Sequence, residues 1–580
     1  GRILKEEAEK VLEDMRRKVN AKFATGQTDG WKNIAKSLLI GSIVNVEFAP
    51  WLLNIFDISA TVKSAENLLA LVISEIKYCM EVLHTVIVTW CTDASGESRK
   101  MRRLLQQKFP WIITVDCWAH QINLVVGDYF KLKSTVSHTM DDALEVAKWF
   151  NNHSRALGLL HDQQVTCYGS RALWLILPVI TRWTAHYLTC TWLLELEKAI
   201  RTLVLEQREA LITCVGDKRD ARDKAQSIIT IVITESFWSK LRMLQKHLEP
   251  LAITANVLQA DNARLDTVLM TLGSLYGIFS QVEIYDNCEV FILAVVLNPY
   301  LRTAHFNRSN PALIESELWN MLKCIYQCMM QLEPTFALMQ AFTDYIHQLG
   351  RYSDDAMALA EIKAAAHSAK ADINLVIVWR RLHCSATNED GGLVSFAMCV
   401  LSIVPNSAAT EQLFSKMGVV QSKHQSCLGS EKVCQMVLIR EAVEKQYPRP
   451  YRRKLWCFGG ADHNCEDIHS DNESPDSDIQ VEQTDTIQSM MDIIGDEDDT
   501  GSSLPADMAS PTIGSESATS CTSSEAITFV NGLLLMNIFD YSQSLPNMLD
   551  AWCRGGEILQ TEMEFHDVLA ELLTATISEG

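Results

Sequence analysis

Long apolar runs are missing from this chain of 580 residues. No stretch of 18 residues is both apolar and free of charge, so we expect a soluble protein without a membrane-spanning segment. We also expect no secretory leader, because the opening residues GRILKEEAEKVLEDMRRKV have the polar pattern of an amphipathic helix. The 17 cysteines lack the spacing of a disulfide framework, which favours reduced intracellular thiols. With 48% hydrophobic residues, the chain can still bury a large core in more than one domain.

Basic residues are scarce at one end only. From residue 461 onward the chain has 25 acidic residues and 1 basic residue, whereas the rest has 50 basic and 47 acidic residues. The formal net charge of −21 therefore comes from the tail, and the near-neutral body neither indicates nor excludes nucleic-acid binding. We expect an acidic disordered linker at 448–525 and an acidic, amphipathic tail at 526–580 that is suited to protein partners.

The first 133 residues alternate between strand and helix patterns. After a helix at 1–20, the patterns predict strands at 22–31, 37–48, 51–58, 85–93 and 111–118, with helices at 61–83, 96–109 and up to 133. Helical spacing then dominates from about 137 to 400. This order predicts an α/β fold, a mixed sheet with a large α-helical insertion. The predicted parts are the N-terminal helix, a first core part at 21–135, the insertion at 136–395, and a core completion at 396–447.

Three carboxylates suggest chemistry at the sheet edge. Asp29 lies where the first predicted strand reaches its turn, and Asp93 ends the fourth. If those strands are neighbours, both side chains project from one edge, and a divalent cation would relieve their repulsion. Glu411, at the head of a helical segment after small residues, would complete a two-metal site if that helix packs on the sheet. The simpler alternative is turn chemistry for Asp29 and a helix-dipole interaction for Glu411.

Five motifs, in this order along the chain, resemble landmarks of hAT-superfamily transposases: TDGW (28–31), WCTDASGESRKMR (90–102), CWAHQINLVVGDYF (117–130), TRWTAHYL (181–188) and PNSAATEQLFSKMG (405–418). The first portion resembles the DUF659 region common in fungal members, and residues 397–445 resemble the hAT C-terminal dimerisation region. The resemblance covers roughly residues 15–445.

The resemblance implies an RNase H-like core interrupted by a helical insertion. It implies a DDE triad at Asp29, Asp93 and Glu411 that binds Mg²⁺ or Mn²⁺ and cleaves DNA by hydrolysis and transesterification. It also implies a homodimer or higher oligomer formed through residues 397–445, and a nuclear location. The pair Arg102–Arg103 is too short to serve as a nuclear signal by itself.

Cys117 and His120 form a Cys-x-x-His pair that looks like half a zinc site, although no second half is present in the sequence. Packing is the plainer interpretation of this pair. The resemblance instead places it near the active site, together with a later Arg-Trp pair. By that analogy Arg182 contacts phosphate and Trp183 stacks on an unpaired DNA base, whereas a core position is the alternative for Trp183.

Two departures from the transposase pattern favour a second hypothesis. Related transposases usually carry an N-terminal BED-type zinc finger, but no such Cys/His set precedes residue 20, so we expect this module to be missing or truncated. After Glu411, the stretch QSKHQSCLG (421–429) has Gln425 and Cys427 where arginine is frequent, which should weaken phosphate binding. The alternative is a catalytically inactive, dimerising DNA-associated or regulatory protein that descends from a transposase.

Overall fold

A computed structural model describes most of the body of the chain, in these ranges: 2–33, 36–131, 135–169, 184–279, 288–369, 371–383, 390–420, 429–447 and 538–541. Arg182, Trp183 and the predicted acidic linker at 448–525 lie outside the described residues. The predicted tail at 526–580 also lies outside them, except for Ile538–Tyr541. The proposed division into domains stays a prediction.

A five-stranded mixed sheet forms the β-rich part of the described chain. Its strands are β1 (Phe23–Lys32), β2 (Leu38–Val46), β3 (Ala49–Asp57), β4 (Val86–Thr92) and β5 (Ile113–Asp116). They lie in the order β3-β2-β1-β4-β5, with β1–β2 and β2–β3 antiparallel and with β4 and β5 parallel to β1. The five predicted strands and the mixed sheet are confirmed, and their RNase H-like character stays a prediction.

Helices make up most of the described chain, as the spacing of apolar residues predicts. They are α1 (Arg2–Val19), α2 (Ala65–Glu81), α3 (Gly96–Lys108), α4 (Trp118–Lys131), α5 (Thr135–Asn152), α6 (Ser154–Tyr168), α7 (Thr184–Glu195), α8 (Glu197–Glu206), α9 (Arg208–Thr213), α10 (Arg219–Ile233), α11 (Glu235–Gln259), α12 (Leu265–Phe279), α13 (Cys288–Leu297), α14 (Glu315–Met330), α15 (Phe336–Ile346), α16 (Leu359–Ser368), α17 (Leu375–Arg380), α18 (Leu393–Leu401), α19 (Ala408–Val420) and α20 (Ser430–Gln446). Within the described ranges, no helix has both the length and the apolar character needed to cross a membrane.

Helices cover both faces of the sheet. On one face α2 and α3 pack over the buried Trp90 of β4, and Trp90 Nε1 donates a hydrogen bond to Thr28 Oγ1 at 2.9 Å. On the other face α19 and α20 pack over β2 and β3, around Leu413 and Val437. The core of the helical region joins this face through α4, beside β4 and β5. In this order β1 is the central strand and β4 lies beside it, so both strands are covered by helices on the two faces of the sheet.

Four residues from the far end of the chain also pack on the body. The segment Ile538–Tyr541 lies against the helical region, and an isolated antiparallel bridge pairs Phe539 with Phe306. The sequence predicts a tail that is suited to protein partners, whereas these residues contact their own chain, because Ile538 and Phe539 find buried positions there.

Glu75 is a buried carboxyl on the sheet-facing side of α2, and its protonation should control stability. Its side chain is only 6% exposed, and its Oε2 has no hydrogen-bond partner among the described residues. Burial raises the pKa of Glu75 to about 7, although the side chains of Asn54 and Ser42 partly offset this. The folded chain therefore retains a proton that the unfolded chain has lost, between pH 4.5 and about 7. The free energy of unfolding should fall as pH rises through this window.

We expect Glu75→Gln to raise the free energy of unfolding by about 3 kcal/mol at pH 8 and to change it little near pH 4.5. Glutamine stays neutral, so the cost of burying the charge disappears only where the wild-type carboxyl is ionised. Urea unfolding at several pH values measures this difference. Glu81→Gln, on the exposed surface of the same helix, is the control and should shift stability by less than about 0.5 kcal/mol. A gain from Glu75→Gln that is equal at both pH values would contradict the prediction.

Candidate active site

Asp29 and Asp93 occupy equivalent positions relative to two neighbouring parallel strands. The last backbone pair between β1 and β4 joins Gln27 to Cys91; Asp29 lies two residues further along β1, and Asp93 lies two residues after Cys91, directly beyond the end of β4. Because side chains alternate with a period of two, the equal offset places both carboxyl groups on the same side of the sheet edge. The sequence-based prediction that the two residues share one edge therefore agrees with the observed register.

Asp93 is held by the turn that starts α3. Ser95 Oγ donates to Asp93 Oδ1 at 3.1 Å and also caps the helix by accepting the Ser98 N–H at 3.4 Å. A serine at the N-cap satisfies one of the open backbone donors of the first turn. The same hydroxyl therefore positions the helix and one carboxylate.

Glu411 lies in the first turn of α19, and the segment before this helix ties it to the sheet. The Val404 N–H donates to Thr25 Oγ1 of β1 at 3.0 Å, and the Ser407 N–H donates to Cys117 Sγ at 3.3 Å. The Trp118 N–H donates to the Pro405 carbonyl at 3.1 Å. These contacts bring a residue more than 300 positions downstream back to the carboxyl ends of β1 and β5.

Asn406 ties the same segment to the helical region. Its buried side-chain amide donates to the carbonyls of Leu258 and Ala260, both at 3.0 Å, while its Oδ1 accepts the Ala408 N–H at 3.1 Å. One side chain thus caps the start of α19 and satisfies two carbonyl groups where α11 ends. The position of Glu411 consequently depends on both the sheet and the helical region.

Gly41 allows α19 to approach the strand that carries Asp29. Gly41 pairs with Asp29 across β1 and β2. A Cβ atom at Gly41 would lie 3.0 Å from Phe414 Cε1 and 3.1 Å from Leu413 Cδ2, closer than ordinary packing distances. Phe414 also stacks on Trp31 of β1, with ring centroids 5.6 Å apart. The missing side chain therefore brings the first turn of α19 near Asp29.

The three carboxylates Asp29, Asp93 and Glu411 line one cavity of about 550 Å³. Two exposed lysines, Lys32 and Lys63, also line the cavity. Its apolar lining residues include Leu38, Ile40, Phe56, Ile58, Leu68 and Leu71.

The negative charges of Asp93 and Glu411 affect the pKa of Asp29. Burial raises the pKa of Asp29 well above its usual range, and the negative charges of Asp93 and Glu411 raise it further. The Gly30 N–H, which donates to Asp29 Oδ1 at 2.7 Å, opposes this effect. A cation among these oxygens would remove the repulsion that the three groups otherwise exert.

The donor set is suited to a hard divalent cation, because Mg²⁺ and Mn²⁺ prefer carboxylate oxygens. In the present conformation, the described ranges contain no group of three or more His, Cys, Asp or Glu side chains already arranged around a metal position. The observation that favours a cation here is the repulsion between Asp29 and the negative charges of Asp93 and Glu411.

Cys117 and His120 have different surroundings, since Cys117 is buried and His120 lines the cavity. Cys117 is 1% exposed, and its thiol receives the Ser407 N–H, so it supports the segment before α19 and is not presented to a ligand. A hydrogen bond with Cys91 lowers the pKa of Cys117 to about 7, in spite of burial. His120 lies in the first turns of α4 and lines the cavity beside the carboxylates.

Glu97 and Arg102 are two further residues beside the carboxylates whose positions the sequence did not predict, and of these only Glu97 lines the cavity. Arg102 is 5% exposed, donates to the carbonyls of Thr92 and Asp93, and forms an ion pair with Asp116. Glu97 lines the cavity as a further carboxylate. The signal for Arg102 was its spacing, because it shares the buried face of α3 with residues at positions 98, 101 and 105.

Comparison with known proteins adds one finding. Residues 359–443 match the hAT family C-terminal dimerisation region. The match supports membership of the hAT family, a relation to transposases, and self-association through this region. It contains Glu411 and most of α20, so the third carboxylate and the dimerisation region are part of one segment. A comparison with curated proteins gave no match.

Proposed function

We propose that this chain is a hAT-type transposase, or a protein derived from one, that cleaves DNA and transfers strands at the cavity of Asp29, Asp93 and Glu411. The observation that carries the proposal is the convergence of three acids from distant parts of the sequence in one cavity. The match at residues 359–443 supports it independently. The proposal includes an RNase H-like core, a DUF659-type first portion as in fungal members, and a nuclear location.

Each group in the cavity has a role in this proposal. Asp29, Asp93 and Glu411 would hold Mg²⁺ or Mn²⁺, and such an ion stabilises charge on a reacting phosphate and activates water. Lys32 and Lys63 would bind neighbouring DNA phosphates through their ammonium groups, since both side chains are exposed and line the cavity. His120, which also lines the cavity, would donate a hydrogen bond to a phosphate oxygen. The apolar lining residues would shield a sugar or base from water.

Arg182 and Trp183 retain the roles that the resemblance gives them, as contacts to phosphate and to an unpaired base. Cys117 acts in this proposal as a positioning residue, because its buried thiol holds the segment that leads to Glu411.

The alternative is a catalytically inactive, dimerising protein with a regulatory role. The observation that favours it is that the family match covers the dimerisation region only. Relaxation of supercoiled plasmid by the purified chain in Mn²⁺ separates the two candidates. Nicking that disappears with a chelator supports the transposase. Dimers that bind Mn²⁺ weakly and leave the plasmid intact support the regulatory protein.

Binding of Mn²⁺ to the wild-type chain should strengthen as pH rises from 5 to 8. Because the pKa of Asp29 is raised by burial and by its acidic neighbours, the ion must displace a proton at the lower pH. Titration calorimetry in two buffers of different ionisation enthalpy measures both the affinity and the protons released. Asp57→Asn is a suitable control, because Asp57 lines the same cavity but accepts hydrogen bonds from Ser59. Affinity that is independent of pH would contradict this proton-linked binding.

One face of α20 suggests where self-association takes place. Val433 and Val437 are buried against the sheet, whereas Met436, Val443 and Tyr447 are 37%, 50% and 67% exposed. Positions 436 and 443 share one face of the helix, because they are seven residues apart, and Tyr447 follows directly after the last residue of α20. A second copy of the chain is the partner that the family match supports for this apolar face.

We expect the double variant Met436→Asp, Val443→Asp to weaken self-association at least about tenfold, because two charges would have to lose water in the interface. Sedimentation velocity over a range of protein concentrations measures the change. Leu205→Asp is the matched control, since Leu205 is 74% exposed but lies outside the dimerisation region. Equal effects of the double variant and the control would exclude this face of α20 as the interface.

A further inference from the structure

The segment Ile538–Tyr541 occupies a groove that neither the cavity nor the dimerisation region accounts for. The groove is formed by α12 and by residues 305–307. Ile538 and Phe539 are almost completely buried there, as buried as residues of the main core. The preceding described residue along the chain is Tyr447, so this contact joins two parts of the chain that are far apart in sequence.

Backbone hydrogen bonds fix the direction of the segment in the groove. The Asn307 N–H donates to the Ile538 carbonyl at 2.8 Å, and the Asp540 N–H donates to the His305 carbonyl at 3.1 Å. The pairing of Phe539 with Phe306 is antiparallel. Addition of an extended peptide to an exposed backbone edge is a common mode of peptide recognition, in which backbone bonds give affinity and alternate side chains give specificity.

The alternate side chains of the segment lie over two glycines of α12. Phe539 lies against Gly273, where an added Cβ would be 2.6 Å from the ring, and Tyr541 lies against Gly277, with a nearest distance of 3.6 Å. The two aromatic residues are two positions apart in the segment, and the two glycines are four positions apart in α12, where four residues rise about 6 Å. Tyr541 also packs on Tyr276, with ring centroids 5.2 Å apart.

Glycine in a helix interior is unfavourable unless something requires close approach. At Gly273 the requirement is visible, because the aromatic ring of Phe539 fills the space that a methyl group would take. Phe306 completes the contact, with its ring centroid 6.0 Å from that of Phe539. The groove is thus complementary in shape to a short peptide with aromatic residues at alternate positions.

We infer that this groove is a docking site for a short extended peptide of the type aromatic-x-aromatic, and that the chain's own Phe539-Asp540-Tyr541 is its exchangeable occupant. Tethering to the same chain raises the local concentration of the segment, so the groove is filled in the intact protein. The same peptide supplied in trans binds only when the tethered copy has left. This site is independent of the proposed DNA cleavage, because it lies in the helical region and involves none of the carboxylates.

The test uses the full chain and a fluorescent peptide of residues 535–544. Binding is measured by anisotropy to the wild type, to Phe539→Ala, and to Phe539→Ala combined with either Gly273→Ala or Gly277→Ala. We expect Phe539→Ala to bind the peptide at least about tenfold more tightly than the wild type, since the tethered competitor is gone. Gly273→Ala should remove this binding, whereas Gly277→Ala, whose Cβ meets only ordinary contacts, should retain it. Equal binding by the two double variants, or by a scrambled peptide, would overturn the inference.

Hydrogen exchange of the wild-type chain tests the same inference without any variant, so it does not depend on whether a variant folds. We expect the amide of Asp540 to exchange faster than the amides of α13, because the segment leaves the groove without unfolding of the helices. An excess of unlabelled peptide should accelerate exchange at Asp540 and leave α13 unchanged. An Asp540 amide that exchanges as slowly as α13 would show that the segment is a fixed part of the core, and the inference would be wrong.

Discussion

Asp93→Asn is expected to reduce Mn²⁺-dependent nicking of supercoiled DNA by roughly 10³-fold. Asparagine keeps the shape of the side chain and the hydrogen bond from Ser95, but removes the charge that a divalent cation requires. Asp29→Asn and Glu411→Gln should have effects of similar size. If the three acids act as a unit, the double variant Asp29→Asn, Asp93→Asn should be no worse than either single variant.

The same variants should gain stability when no metal is present. Asp93 and Glu411 both raise the pKa of Asp29, so removing either charge relieves repulsion in the cavity. A higher melting temperature in chelator, together with lost nicking, would distinguish this change from simple misfolding. Asp57→Asn serves as the control for both measurements, because its carboxylate lines the cavity but is engaged by Ser59. Equal nicking by the wild type and Asp93→Asn would point to a contaminating nuclease.

Arg102→Ala is expected to lower the free energy of unfolding by about 3–5 kcal/mol. The change removes the ion pair with Asp116 and the donor that serves the carbonyls of Thr92 and Asp93. Loss of one partner from a buried charged network leaves the other groups without compensation. Urea unfolding at neutral pH measures the loss.

Arg103→Ala provides the matched control, because Arg103 is the exposed neighbour of Arg102 in the same helix. It should change the free energy of unfolding by less than about 0.5 kcal/mol. A loss of similar size in both variants would mean that the buried contacts of Arg102 do not determine its contribution.

The sheet could be predicted from the sequence because its signals are local. Strand β4, VIVTWCT, is β-branched and apolar, and Asp93 follows it directly. That Asp29 and Asp93 share one edge depended on the condition that their strands are neighbours, and the pairing of β1 with β4 meets this condition. The order of the first four helices and five strands depends on the same local information.

The return of Glu411 could not be predicted from spacing. It depends on hydrogen bonds between residues far apart in sequence, such as the amide of Asn406 with the carbonyl of Leu258. The residues alone suggested it only on the condition that the helix of Glu411 packs on the sheet, and the resemblance to a family supported that condition. Arg102 was missed for a different reason, since a charged side chain on an apolar helix face is ordinarily assumed to reach solvent. Phe539 was missed because its groove is made by residues of another region.

The equal offset of Asp29 and Asp93 from the last pair of β1 and β4 gives the candidate site an uneven tolerance of insertions and deletions. One residue added between Gln27 and Asp29 would turn the aspartate to the opposite face of the sheet. The several hundred residues between Asp93 and Glu411 are under no such constraint, because inserting one residue there does not change which face of the sheet either side chain is on. Their number is free to change while the segment at 404–407 keeps its contacts. Length variation among relatives should therefore concentrate in the helical region and be rare in the two central strands.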